Sequence, residues 1–126
     1  MYRTLLVDDE DAILNLLSVI LGRQHFSVRT ATSAQAAIAL LTEEHFDLVV
    51  TDLRMETPWA GFEVAKVAQE TNPRPVVAIL TAFPVPGRDW RATGADALFV
   101  KGSRPLELPT RLEELLLQHA VPAHAH

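Results

Sequence analysis

The sequence predicts a single α/β domain, a parallel sheet with helices packed on both faces in three layers. Two observations predict it. Short, almost wholly apolar runs recur four times along the 126 residues, as expected of strands covered on both faces, and a fifth strand-like segment alternates. Helix-compatible segments, most of them amphipathic, separate the runs, so each crossover joins parallel strands and should be right-handed.

Leu5-Leu6-Val7 is the first strand and stops at Asp8-Asp9-Glu10. Ala12, Ile13, Leu16, Leu17 and Ile20 follow at helical spacing and are read as the buried stripe of a helix ended by Gly22. Phe26–Ala31 alternates as a second strand. Ser33 is a good N-cap for a helix to about Glu44, with Ala37, Ile38 and Leu41 inward. Leu48-Val49-Val50 is the third strand and ends at Thr51-Asp52. Leu53–Ala60 reads as a loop, and Gly61–Glu70 as a helix ended by Asn72-Pro73. Val76–Leu80 is the fourth strand, closed by Thr81. Pro84, Pro86 and Gly87 leave only about Arg88–Thr93 for a fourth helix. Ala97–Val100 is the fifth strand, followed by Lys101. A last helix runs to about His119, starting or kinking near Pro109, with Leu112, Leu115 and Leu116 inward. Residues 1–119 are expected to form the domain, and 120–126 a flexible tail.

Apolar residues make up 48 % and charged residues 21 %, a globular balance. The net charge is −5 and the eleven basic residues are scattered, which argues against a nucleic-acid partner. Cysteine is absent, so disulfides and thiolate metal sites are excluded. No run approaches the ~20 apolar residues of a membrane span, and no signal peptide is recognisable. A soluble, cytoplasmic protein is expected.

In an open parallel sheet, ligands bind beyond the carboxyl ends of the strands. Here those ends carry Asp8 and Asp9, Asp52, Thr81 and Lys101. Three clustered carboxylates repel one another, and a hard divalent cation such as Mg²⁺ relieves that repulsion. Lys101 offers a mobile positive charge suited to phosphate, and Thr81 a hydroxyl donor. One carboxylate is then able to attack phosphorus and form an aspartyl phosphate.

The ordered set Val7-Asp8-Asp9-Glu10, Val50-Thr51-Asp52, Leu80-Thr81-Ala82 and Val100-Lys101 resembles the response-regulator receiver family of two-component signalling, over nearly the whole chain to about residue 119. The resemblance implies a flavodoxin-like sheet of order 2-1-3-4-5 with five helices. It implies Asp52 as phosphoacceptor and Asp9 as a direct Mg²⁺ ligand, with Asp8 acting largely through water. The Arg54 backbone carbonyl would complete the protein ligands. Thr81 would bond a phosphoryl oxygen beside the small Ala82, and Lys101 would pair with Asp52 and then with its phosphate. The implied donor is a phosphohistidine on a sensor histidine kinase or phosphotransfer protein. The implied role is a switch, with no catalysis beyond its own phosphorylation and dephosphorylation; with no output domain after residue 119, a separate output protein is expected, or the chain is a fragment of a larger one. A monomer or weak homodimer is expected.

Four places depart from the family pattern. Gly102 stands where a proline usually follows the lysine; a cis bond before glycine costs about 2.5–4 kcal/mol, so a trans peptide and a less rigid Lys101 are expected. Leu98 occupies the switch-aromatic position, with Phe99 expected on the opposite strand face. The fourth helix is short. The loop after Asp52 is one residue longer than usual and lacks the proline after Met55. Arg54 and Phe83 hold variable positions from which they are expected to slow loss of the phosphoryl group. Trp59 is read as a lid, a contact point or a partly buried surface residue. His119, His124 and His126 are read as tail residues rather than metal ligands.

Alternatives are a pseudo-receiver serving as a constitutive interaction module, and an aspartyl phosphohydrolase on another α/β fold. The second would carry an acid two residues after its nucleophile, where this chain has Arg54. A nucleotide-binding protein is weaker, because neither GxGxxG nor a P-loop occurs.

Overall fold

Strands β3 (Leu48–Asp52) and β4 (Val76–Thr81) bury every residue, because helices cover the sheet on both sides. They sit in a computed structural model that describes residues 1–82, 90–101 and 104–119. With β1 (Tyr2–Val7), β2 (Phe26–Ala31) and β5 (Ala97–Val100) they form one parallel sheet in the order β2-β1-β3-β4-β5. This is the predicted flavodoxin-like topology. β1 pairs with β3 from Thr4↔Leu48 to Val7↔Thr51, and β3 with β4 from Leu48↔Val76 to Asp52↔Leu80. That register draws the ends of the central strands level with one another.

Four α-helices lie among the described residues: α1 (Asp11–Gly22), α2 (Ala34–Glu43), α3 (Ala60–Gln69) and α4 (Leu108–Gln118). Side chains alternate across the sheet and divide the core in two. On one face Leu5, Val7, Val49, Val77 and Ile79 pack against Ala37 and Leu41 of α2 and Val64 and Ala68 of α3. On the other, Leu6, Leu48, Val50 and Ala78 pack against Leu17 and Leu21 of α1 and Leu112 and Leu116 of α4.

Three expectations need correction. The fourth of the five expected helices is not seen among the described residues: between β4 and β5 they hold only a 3₁₀ turn, Trp90–Thr93. Gly94, at φ +98°, stops the turn in a conformation that disfavours side chains. The buried stripe of α1 is Leu14, Leu17, Ile20 and Leu21; Ala12 is exposed and Leu16 half-exposed. This helix is apolar around most of its circumference, so periodicity alone did not choose the face. Ile38 is half-buried on the flank of α2, while Ala34 lies inward.

Other local signals match the structure. The Ser33 hydroxyl accepts from the Ala36 amide at 3.0 Å, a cap worth about 1 kcal/mol. Pro109 is the second residue of α4, where a missing amide donor is harmless, and a 3₁₀ turn over Pro105–Glu107 leads into it. The expectations for the tail and for His124 and His126 fall outside the described residues. His119 ends α4 with Nε2 3.9 Å from an Asp96 oxygen.

Candidate functional site

Each chemical residue is set by a backbone bond at the carboxyl edge of the sheet. The Asp8 amide donates to the Ala31 carbonyl at 3.1 Å, carrying the β1–β2 ladder one rung past β1. Asp52 closes β3, and the next amide, Leu53, donates to the Leu80 carbonyl at 3.0 Å. Thr81 closes β4, and its carbonyl accepts the Lys101 amide at 2.7 Å. Behind Asp52, the Gly61 amide donates to the Leu53 carbonyl at 2.9 Å. A Cβ at Gly61 would collide with the Asp52 carbonyl and the Leu53 Cα, so only glycine lets α3 start this close to the strand end.

The side chains converge as the sequence predicts. Lys101 Nζ lies 2.9 Å from Asp8 Oδ2 and 3.1 Å from Asp52 Oδ2, tying the two carboxylates together. The other Asp8 oxygen accepts the Glu10 amide at 3.0 Å. Asp8 is 1 % exposed and Asp52 8 %, whereas Asp9 and Glu10 face solvent. A cavity of about 300 Å³ opens over the group, lined by Asp9, Glu10, Asp52, Arg54, Thr81 and Lys101.

Burial pushes the Asp52 carboxyl above the ordinary carboxylate range; the Asp8 charge adds to this and Lys101 opposes it. Burial also works against the Lys101 charge, but the Asp8 hydrogen bond and the charges of Asp52 and Asp8 outweigh it, so its pKa is raised. One ammonium is therefore shared between two nearly buried acids. Asp8, Asp9 and Glu10 bring carboxylate oxygens within 4.8 Å of one another, a hard oxygen donor set of the kind Mg²⁺ prefers.

Two acids were missed as members of this neighbourhood. Glu10 belongs to the oxygen cluster. Glu56, in the loop after Asp52, accepts the Ala34 amide at 2.9 Å and the Gln35 amide at 3.3 Å, both on the first turn of α2. Three backbone hydrogen bonds to its carboxylate, from Ala34, Gln35 and its own amide, together outweigh the effect of burial and hold its pKa below normal. Leu98 and Phe99 lie on opposite faces as expected: Leu98 joins the α2/α3 core, and Phe99 the α1/α4 core under the Arg111 guanidinium at 5.0 Å. Trp59 is 42 % exposed and stacks on Phe62, with ring centroids 5.7 Å apart. Phe83 and Gly102, with the trans peptide expected before Gly102, lie outside the described residues.

The family model described as the response regulator receiver domain matches residues 4–113. The chain belongs to this receiver family. Phosphorylation-dependent switching is the standard function of such a domain in two-component signalling. Receiver domains are signalling domains, not enzymes in the ordinary sense. The response regulator protein PilR of Pseudomonas aeruginosa is 35 % identical over 114 residues, covering 90 % of this chain and 25 % of that protein. The transcriptional regulatory protein SrrA of Staphylococcus aureus is 32 % identical, covering 89 % of this chain and 46 % of its own length. The chain thus spans between a quarter and about half of these curated relatives. Among solved receivers, TrrA of Thermotoga maritima, in complex with Mg(2+)-BeF, is 29 % identical with a TM-score of 0.79, covering 91 % of this chain and 99 % of that one. The chemotaxis protein CheY4 of Vibrio cholerae is 28 % identical with a TM-score of 0.81, covering 91 % of this receiver and 98 % of its own chain. Among the described residues, no helix is long and apolar enough to cross a membrane.

Proposed function

We propose that this receiver takes a phosphoryl group on Asp52 from a phosphohistidine, held by a sensor histidine kinase or a histidine phosphotransfer protein, with Mg²⁺ in the acidic pocket. The observation that carries this reading is the Lys101 ammonium seated between Asp8 and Asp52 at the floor of an open, acid-lined cavity. An Asp52 oxygen attacks phosphorus; the new O–P bond forms as the P–N bond to the donor imidazole breaks and the electron pair leaves with the ring nitrogen. Lys101 then follows the charge from the carboxylate to the phosphoryl oxygens, and the Thr81 hydroxyl donates to one of them.

Asp9, Asp52 and the Arg54 carbonyl would hold Mg²⁺, and Asp8, whose two oxygens already accept hydrogen bonds, would act largely through water. When bound, the metal supplies positive charge against the transferred oxygens. The TrrA receiver, in complex with Mg(2+)-BeF, supports this assignment. A groove of about 210 Å³ between α1 and α4 shares Lys101 with the acceptor cavity, and Leu16, Val100 and Leu108 line it. A donor protein seated there brings its histidine to Asp52. We also assign residues 1–119 to the receiver, with a cytoplasmic location, monomer or weak-dimer behaviour, and slow hydrolysis of the domain's own phosphate.

The test is incubation with acetyl phosphate and Mg²⁺, followed by intact-mass measurement. Wild type should gain one phosphoryl group, EDTA should abolish the gain, and Asp52→Asn should show none. Unmodified wild type, or equal modification of Asp52→Asn, refutes the assignment.

A further inference from the structure

The loop after the acceptor is fastened to the first turn of α2. Glu56 lies four residues beyond Asp52, and both of its carboxylate oxygens accept amides from the start of α2. Ser33 caps the next amide, Ala36, and the Ser33 carbonyl accepts that of Ala37. The first four amides of α2 are thus all satisfied, two of them by a residue from another loop. The α2 end is itself tied to the site, because β2 leads into it and its last residue, Ala31, holds the Asp8 amide at 3.1 Å.

Glu56 therefore joins two backbone segments that are each tied to the site. One carries Asp8 through Ala31; the other carries Asp52, Leu53 and Arg54. Within the loop, the Met55 amide donates to the Thr57 carbonyl at 3.1 Å, and Met55 packs on the α2/α3 core. Arg54, which lines the cavity, is held between this anchored turn and the Leu53 bond to β4.

We propose that Glu56 is a positioning residue for the metal side of the acceptor site. Its carboxylate holds the loop against α2 and so sets the Arg54 carbonyl at the cavity rim. The proposal rests on the Mg²⁺-dependent reading of the site. Outer groups that orient a metal ligand typically change affinity by ten- to a hundredfold when removed, and a backbone carbonyl on an untethered loop is a poorly oriented ligand.

The experiment uses the full chain and four proteins: wild type, Glu56→Ala, Glu56→Gln and Ser33→Ala. Ser33→Ala weakens the same helix end without touching the loop, and so controls for a merely structural loss. Mg²⁺ affinity is read by tryptophan fluorescence titration. Amide hydrogen exchange at Ala34, Gln35 and residues 53–57 is read in metal-free protein. Glu56→Ala should weaken Mg²⁺ binding about tenfold or more. It should also speed exchange in residues 53–57. Glu56→Gln, which keeps one acceptor oxygen, should recover part of both. Ser33→Ala should lower the melting temperature but leave Mg²⁺ affinity within about twofold. Unchanged affinity in Glu56→Ala, or an equal loss in Ser33→Ala, overturns the proposal. If Glu56→Ala does not fold, the same comparison between Glu56→Gln and Ser33→Ala decides it. Failure of wild type to bind Mg²⁺ would instead sink the underlying reading, and the wild-type arm shows which has failed.

Discussion

Replacing Lys101 by methionine removes a positive charge that stands between two acids almost out of reach of water. The ammonium stands 2.9 Å from Asp8 and 3.1 Å from Asp52. At an effective dielectric near 20, a unit pair about 3 Å apart attracts by about 5 kcal/mol, most of it offset by desolvation. Removing one partner of a fully buried pair costs about 3–5 kcal/mol, because the remaining charge is left uncompensated. The Lys101 side chain is 19 % exposed, so some solvent screening survives. The expected loss is therefore about 2–4 kcal/mol, a large part of the ~5–15 kcal/mol typical of a domain. Urea unfolding followed by far-UV circular dichroism, at pH 7 with EDTA present, measures it. Adding Asp52→Asn to Lys101→Met should restore about 1–2 kcal/mol, because the uncompensated charge is then halved. The Lys101 pKa is raised in the folded state, so its contribution is present below the unfolded value of 10.5 and is lost as pH rises through the folded one. Wild-type stability should accordingly fall toward that of Lys101→Met in strongly alkaline solution. A loss under about 1 kcal/mol, or no coupling to position 52, would refute the picture of a shared ammonium.

Asp52→Asn should stabilise the metal-free protein at pH 7, since the folded state holds Asp52 above its ordinary pKa of 3.8 and so disfavours the charge. The advantage over wild type should shrink as pH falls through the raised pKa and vanish below 3.8, which paired urea titrations at two pH values check. Gly61→Ala drives a methyl into the Asp52 and Leu53 backbone and should cost about 1–3 kcal/mol while slowing acetyl phosphate uptake. Gly22→Ala meets nothing within 4 Å and should be neutral or gain up to about 1 kcal/mol, so equal melting temperatures for the two variants would contradict the close approach.

The strand ends were legible in the sequence because each apolar run stops abruptly at a polar residue, and a fully covered parallel strand leaves little choice of register. The sequence alone therefore brings Asp8, Asp52, Thr81 and Lys101 together. Ser33 was equally legible, since a cap acts on an amide three residues away. The buried face of α1 was not: apolar residues at 13, 14, 16, 17, 19, 20 and 21 leave several stripes open, and only the sheet selects Leu14 and Leu17. Glu56 escaped for a different reason. Its partners stand 21 and 22 residues away on another element, a distance at which capping leaves no local pattern. The absent proline beside Met55 was the visible trace of it. The short stretch before β5 was foreseen as stunted from its prolines and glycine, yet whether four residues close an α or a 3₁₀ turn is settled by tertiary contacts.

The 2.7 Å bond from the Lys101 amide to the Thr81 carbonyl extends the pairing of β4 and β5 beyond the last strand residue. The main chain of the lysine is thereby clamped from behind, by the sheet, before the next peptide unit begins. The backbone that carries the ammonium is therefore located by the very strand whose end carries the Thr81 hydroxyl, so the two groups share one support.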